Sequence, residues 1–314
     1  MSWQPIGPID LIAGTPPGGG LDRAARALVR AIEAHGLINV PLRVVNVSGE
    51  GSGKAWDLVV ERPGDPHVVA ITSPNLATNY ALGLSDLDHF SFTPLAILYT
   101  EYIAFVTRAD SDIRNAHDLL RRLGAEAGSV TVALSTAAGN PNHIALAQIT
   151  RDAGGDIKAP RVRVFDSALT ALADVMEGNA DVAAITAASA SKEMISGRAR
   201  AVAVSSPVRL SGPYTAVPTW SELSVDCTLG AWRGISGARE LAPEHVACWE
   251  SVLSRAVTTD EWNAELARYF WTPMYLDGAR LRDYLDVETT QMSALLAELG
   301  LAQRGPRTRI TCPR

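Results

Sequence analysis

Apolar positions along this chain alternate between two periods. Short apolar runs at residues 8–13, 42–47 and 68–72 read as strands buried on both faces. Between the first two, Leu21, Ala24, Ala25, Leu28, Val29 and Ile32 fall on one face of a helix. A second series follows the same plan, with strands at 130–134, 161–165, 181–185 and 199–204. Its helices are expected at 115–123, 141–153, 168–177 and after Thr186. Strand-helix alternation of this kind predicts mostly parallel sheets flanked by helices. Residues 95–108 form an extended run too long for an ordinary strand, so it is expected to leave one sheet and enter another.

Two series imply two α/β lobes with a cleft between them, and the chain would cross between lobes near residues 100–104 and again near 218–232. The first lobe is then 1–101 with 225–302, the second is 102–224, and 303–314 is expected to be a disordered tail. Helices at 243–257, 259–270 and 280–299, with a strand at 271–276, are expected to return to the first lobe.

The chain has 314 residues, 47% apolar and 20% charged, enough for two well-formed cores. A net charge of -6 supplies no broad basic surface, which argues against nucleic acid and anionic membrane as partners. The start, Met1-Ser2-Trp3-Gln4-Pro5, shows neither the basic nor the apolar region of a secretory leader. The expectation is therefore a cytoplasmic protein or one whose leader has been removed. Cys227, Cys248 and Cys312 have no metal-ligand spacing and read as incidental thiols, with a Cys227–Cys248 bridge the one alternative.

Two loops share one construction. Gly14-Thr15-Pro16-Pro17-Gly18-Gly19-Gly20 and Ser135-Thr136-Ala137-Ala138-Gly139-Asn140-Pro141 each follow a strand and run into a helix. Such turns present unpaired backbone N–H groups and the positive end of a helix dipole to an anion. Each alone is as readily a structural turn; one in each lobe suggests an anion held between them. Thr15 and the amides around Gly20 and Asp22 are candidate donors, with Asp22 read as a first-turn dipole or capping residue. In the second loop Thr136, Gly139, Asn140 and His143 are candidates. Ser73 and Asn75 lie at a strand end, as does Thr186, where ligands of parallel sheets bind. Asp166 is either a ligand contact or a helix cap. Tyr102 and Glu101 fall at the first crossing. Arg233, at the second, would clamp a carboxylate or pair with an acid across the hinge.

Catalytic and cofactor signatures are missing. There is no phosphate-loop lysine after Gly18–Gly20, no dinucleotide fingerprint, no nucleophile elbow and no zinc-protease motif, and the six histidines are dispersed. No cofactor and no metal is expected. Binding without catalysis is the leading reading; an enzyme using His143 or Asp166 as acid/base, or a cytoplasmic sensor, are the alternatives.

An ordered set of segments resembles one family. Pro16-Pro17-Gly18-Gly19-Gly20-Leu21-Asp22, Thr100-Glu101-Tyr102, Gly139-Asn140-Pro141-Asn142-His143, Ala168-Leu169-Thr170-Ala171-Leu172, Val217-Pro218-Thr219-Trp220 and Ala231-Trp232-Arg233-Gly234 are similar, in order, to the Bug-type extracytoplasmic receptors of tripartite tricarboxylate transporters. The resemblance implies a type II periplasmic-binding-protein fold and a small organic-acid ligand, a di- or tricarboxylate or an aromatic carboxylate. It also implies delivery to a membrane permease from the periplasm, and a monomer is expected. The family's carboxylate-holding roles would fall on Thr15, Pro16, Gly18, Gly19 and Gly20 in the first loop, and on Thr136, Ala137, Gly139, Asn140 and His143 in the second. Glu50 and Asp166 depart from the family pattern, and an acid near the cleft would favour a ligand bearing an amine or hydroxyl.

Overall fold

The computed structural model describes residues 3–307. The first strands and helices are β1 (Ile9–Ala13), α1 (Gly20–Ala34), β2 (Leu42–Asn46), α2 (Gly53–Val60), β3 (Val68–Thr72) and α3 (Asn75–Ala81). The long strand β4 (Thr93–Arg108) and helix α4 (Ala116–Glu126) lead to a second series. It comprises β5 (Thr131–Ser135), α5 (Pro141–Asp152), β6 (Arg161–Phe165), α6 (Ala168–Met176), β7 (Val182–Thr186), α7 (Ala187–Ile195) and β8 (Ala199–Val204). The chain ends with β9 (Gly230–Gly237), α8 (Pro243–Ala256), α9 (Asp260–Tyr269), β10 (Thr272–Leu276) and α10 (Gly278–Glu298).

The fold is two-lobed α/β, and β4 belongs to both lobes. Its first part pairs antiparallel with β9 and β10, in a sheet ordered β2-β1-β3-β9-β4-β10. From Ile103 onward it pairs antiparallel with β7 and β8, in a sheet ordered β6-β5-β7-β4-β8. The expected change of sheet thus occurs between Tyr102 and Ile103. Each sheet is mixed rather than mostly parallel. Only β2-β1-β3 and β6-β5-β7 run parallel, because the crossing strands β4 and β9 enter against them.

Period-2 alternation on the shared strand serves two cores. Ile103 and Phe105 point into one cluster of the second lobe, with Val132, Leu134, Val182 and Trp220. Ala104 and Val106 point into another on the opposite face, with Ala133, Ala183 and Ile185. That is the pattern of a sheet covered by helices on both sides. The first lobe has one large cluster, in which Tyr99 stacks on Trp271 with ring centroids 4.0 Å apart.

β9 was not legible as a strand, since its sequence, GAWRGISG, reads as a glycine-rich connection. The glycines are there for close approach: a Cβ on Gly234 would lie 2.7 Å from the Ala96 carbonyl oxygen on β4. α10 also departs from expectation. It starts against the first lobe through Leu281 and Leu285, but Met292 and Leu296 enter the second lobe's core. In the segment expected to be disordered, residues 303–307 are tied down: the Gln303 amide donates to the Ala81 carbonyl at 2.7 Å, and Arg304 pairs with Asp86 at 2.6 Å. The remainder, with Cys312, lies outside the described residues. Cys227 and Cys248 are both free, so the possible bridge does not form. Burial pushes the Cys227 thiol up to about 12.

α10 docks on β9 through a buried carboxyl. Glu288 accepts from the Trp232 indole N–H and, at 3.3 Å, from the Tyr284 hydroxyl. Burial outweighs these two bonds and lifts its pKa from 4.5 to about 8. An acid with a raised folded pKa makes the native state bind the proton more tightly than the unfolded state. Stability should therefore fall as pH rises from 4.5 towards 8. Urea unfolding across that window should show this slope in the wild type and lose it in Glu288→Gln; an unchanged slope in the variant would refute the assignment.

Candidate ligand-binding site

Five strands end at the same crevice and each turns directly into a helix: β1 into α1, β3 into α3, β5 into α5, β6 into α6 and β7 into α7. The positive helix ends, each equivalent to about half an elementary charge, therefore converge outside the carboxyl ends of the strands. The cleft encloses about 560 Å³ including its open mouth. Gly19, Gly20 and Leu21 line it from α1, Pro141 and Asn142 from α5, Ser167 and Ala168 from α6, and Thr186 and Ser189 from α7. Thr15, Ser52, Ser73, Asn75, Ser135, Thr136 and Asn140 add hydroxyls and amides. Among the described residues, the lining carries one charged side chain, Arg233, and no carboxylate.

Capping separates these helices into two kinds. At α5 the Asn140 side chain accepts from the His143 amide, and at α6 Ser167 and Thr170 form a capping box. At α1, α3 and α7 the cap residues Gly19, Pro74 and Thr186 make no side-chain cap bond. Each lobe thus has helix starts whose cap residue leaves first-turn N–H groups to other acceptors, α1 and α3 in the first lobe and α7 in the second.

The first glycine loop is held from below by Asp22. Its carboxylate accepts from Gly18 N at 2.8 Å, Asn46 Nδ2 at 2.9 Å and Arg26 Nε at 2.9 Å. Thr15 Oγ1 accepts from the Asp22 amide at 3.2 Å. Burial alone would raise the Asp22 pKa, but the hydrogen bonds from Arg26, Gly18 and Asn46 win and hold it below 3.8. Asp22 is therefore an internal anchor that shapes the loop.

Backbone strain marks the same place. Thr136 and Ser52 both line the cleft with positive φ, 69° and 84°, which for a β-branched residue such as Thr136 is rare and costs about 1–3 kcal/mol. Thr136 is held there by its amide donating to the Phe165 carbonyl at 2.7 Å, while its hydroxyl accepts from Asn140 Nδ2 at 3.0 Å. Across the cleft itself, Asn75 Nδ2 donates to Thr136 Oγ1 at 3.1 Å, and Arg23 Nη2 donates to Ser189 Oγ at 2.9 Å. The lobes are in contact across the cleft, so this is a closed arrangement.

Of the residues singled out in the sequence, Thr15, Gly19, Gly20, Ser73, Asn75, Thr136, Asn140 and Thr186 are brought together on the lining. Pro16, Gly18, Tyr102, Ala137, Gly139, His143 and Asp166 are set back from it, for local reasons. The Pro16 carbonyl accepts from Gly19 N, and the Gly18 amide is taken by Asp22. Gly139 N donates to His143 Nδ1 at 2.9 Å, which leaves that ring's proton on Nε2, and burial lowers the His143 pKa. Ala137 is buried, Tyr102 packs beside Ala104 and Val106, and Asp166 is exposed at the end of β6. Glu50, the other acid in question, is likewise absent from the lining. Ser135, Asn142, Ser167 and Ser189 were missed. Their signal was available: each stands at a strand end or in a first helical turn. Among the described residues no cluster of His, Cys, Asp and Glu is placed to hold a metal ion, and no helix is long and apolar enough to cross a membrane.

No protein-family model matches the chain. A UPF0065 protein from the tcbD-tcbE intergenic region of Pseudomonas sp. (strain P51) is 28% identical over 207 residues, 64% of this chain. The chain spans 59% of that relative's length. Protein BugT of Bordetella pertussis is 23% identical over 305 residues, covering 94% of this chain and 90% of its own. Among solved structures, a TctC solute binding protein from Polaromonas superposes with a TM-score of 0.68 at 25% identity, over 94% of this chain and 99% of its own. MatC from Rhodopseudomonas palustris with bound malate reaches 0.78 at 19% identity, over 93% and 99%. An R. palustris protein with adipate reaches 0.86 at 18% identity, over 95% and 99%. The relatives are Bug- and TctC-type binding proteins, in agreement with the resemblance in the sequence, and the two-lobed fold is shared with them.

Replacing Asp22 tests the loop's anchor. Its contribution to stability is present above 3.8 and lost as pH falls through its lowered folded pKa. Asp22→Asn should lose about 1–3 kcal/mol at neutral pH and show a shallower decline below pH 3.8, read by urea denaturation at a series of pH values. Equal stability of the two proteins at neutral pH would exclude the anchoring role.

Proposed function

We propose, with the similarity to Bug- and TctC-type binding proteins as premise, that this chain is a periplasmic receptor for a small organic acid. The acid, a di- or tricarboxylate or an aromatic carboxylate, is captured between the lobes and passed to the permease of a tripartite tricarboxylate-type transporter. The receptor acts as a monomer, without catalysis. Its lobes are 1–101 with 225–302, and 102–224, with α10 strapped across both.

The observation that carries this reading is the convergence of helix N-termini from both lobes on a cleft whose lining lacks any carboxylate. An anion there meets positive dipole ends from two sides and backbone donors at α1 and α7. In the first lobe Thr15, Gly19, Gly20, Ser73 and Asn75 would contact it; in the second, Thr136, Asn140 and Thr186 would. Bound malate and adipate in two structures of the same fold support the choice of ligand class. Closure follows from differential contact: a ligand touching both lobes binds the closed state more tightly than the open one and shifts the population towards it. Arg23–Ser189 and Asn75–Thr136 join the lobes in this arrangement, and opening the cleft would break both.

Calorimetric titration with a panel of di-, tri- and aromatic carboxylates should give saturable heat with at least one member. Gly19→Val should weaken that binding about tenfold or more, equivalent to 1.4 kcal/mol. A Cβ at Gly19 would lie 2.6 Å from both Cβ and Oγ1 of Thr15, so Thr15 must leave its place. Absence of heat with every acid would sink the receptor reading, and wild-type affinity in Gly19→Val would remove the loop from the site.

A further inference from the structure

We propose that Arg233 is the anchor for one ligand carboxylate in this cleft, and that the buried Glu101 is the positioning residue that aims it. This deepens the receptor reading and rests on it.

The two residues sit where the chain passes between lobes. Glu101 is on β4 opposite Ala231 of β9, and Arg233 is on β9 opposite Tyr99 of β4, which makes them diagonal neighbours on one face of the antiparallel pair. Their side chains, 1% and 9% exposed, form an ion pair through Glu101 Oε1 and Arg233 Nη2. The other carboxylate oxygen, Oε2, accepts from the Trp271 indole N–H at 3.2 Å, so Glu101 is fixed from two sides.

Counting donors separates an anchor from a purely structural cation. A guanidinium has five N–H donors. Nη1 spends its two on the carbonyls of Ala231 and Trp232, at 3.1 and 2.9 Å, and Nη2 spends one on Glu101. Two remain, the second Nη2 proton and Nε–H. Nε is buried and has no acceptor among the described residues, an arrangement that costs about 1–3 kcal/mol unless an outside group supplies one. Two adjacent donors on a planar fork match the two oxygens of a carboxylate.

The surroundings point the same way. Arg233 lines the cleft, and the first turn of α1 lies directly over the pair: a Cβ on Gly20 would be 3.7 Å from both Arg233 Nη2 and Glu101 Oε1. An anion on Arg233 therefore also meets the positive N-terminal end of α1, whose cap residue Gly19 has no side chain to cover it. Because Glu101 already balances the guanidinium charge, the pair selects by hydrogen-bond geometry, and a point charge such as lysine cannot replace it.

Acetate tests this without knowledge of the natural ligand. In crystals of the full chain soaked with acetate, an acetate oxygen should lie within hydrogen-bond distance of Arg233 Nε or Nη2, and acetamide should not take that place. In solution, the Nε–H resonance of Arg233, assigned by its loss in Arg233→Lys, should shift with acetate but not with acetamide. Glu101→Gln, folded by circular dichroism, should abolish both responses although Arg233 is still present; a merely structural Glu101 would leave them intact. Acetate bound only elsewhere in wild-type crystals, as an adventitious additive, would overturn the proposal, and so would a resonance that responds equally in Glu101→Gln. Acetate seated on Arg233 while every member of the carboxylate panel fails to bind would instead count against the receptor reading and leave the anchor standing.

Discussion

The alignment of helix dipoles is the constraint from which the rest of this structure follows. Parallel strands that each turn straight into a helix bring every helix start to one end of the sheet. Two such sheets face to face bring both sets of starts to one crevice. Like-signed ends crowded together repel unless capping groups or a bound anion compensate them. The fold answers with side-chain caps at α5 and α6, while the cap residues of α1 and α3 in the first lobe and α7 in the second make none. The absence of carboxylates from the lining, the buried Asp22 beneath the first glycine loop and the left-handed Thr136 are consistent with a site whose compensating charge comes from outside.

Much of this is visible in the chain before folding. The strand-turn-helix units are periodic enough to be read directly, and the length of residues 95–108 announces a strand that serves two sheets. Both glycine loops were found because glycine and proline punctuate them. Asp22 could be read as a dipole partner from its first-turn position, although only the structure shows that Gly18 is its main-chain donor.

What escaped reading did so for physical reasons. β9 looks like a loop because its glycines, placed for contact with β4, are the residues that normally break strands. α3 is short, Asn75–Ala81, and follows a proline, so its pattern spans too few turns to register. Four of the expected ligand contacts, Pro16, Gly18, Gly139 and His143, are used inside their own loops: a glycine amide in a helix-start loop is as easily satisfied by a side chain four residues on as by a ligand. Arg233 was noticed as either clamp or ion-pair partner, and the donor count shows that one guanidinium has enough protons for both.

α10 holds a consequence of a different kind. Its beginning is sealed into the first lobe and its end into a cluster of the second, so the helix is a tie-rod between two lobes that share β4. Any widening of the cleft must bend that rod, slide it, or pull its last turns free of α5, where Arg151 pairs with Glu298 at 2.5 Å. Mechanical work done at the mouth is therefore carried to the back of the molecule. If the lobes open as proposed, the free-energy difference between the two forms is set partly by apolar contacts that no ligand atom touches.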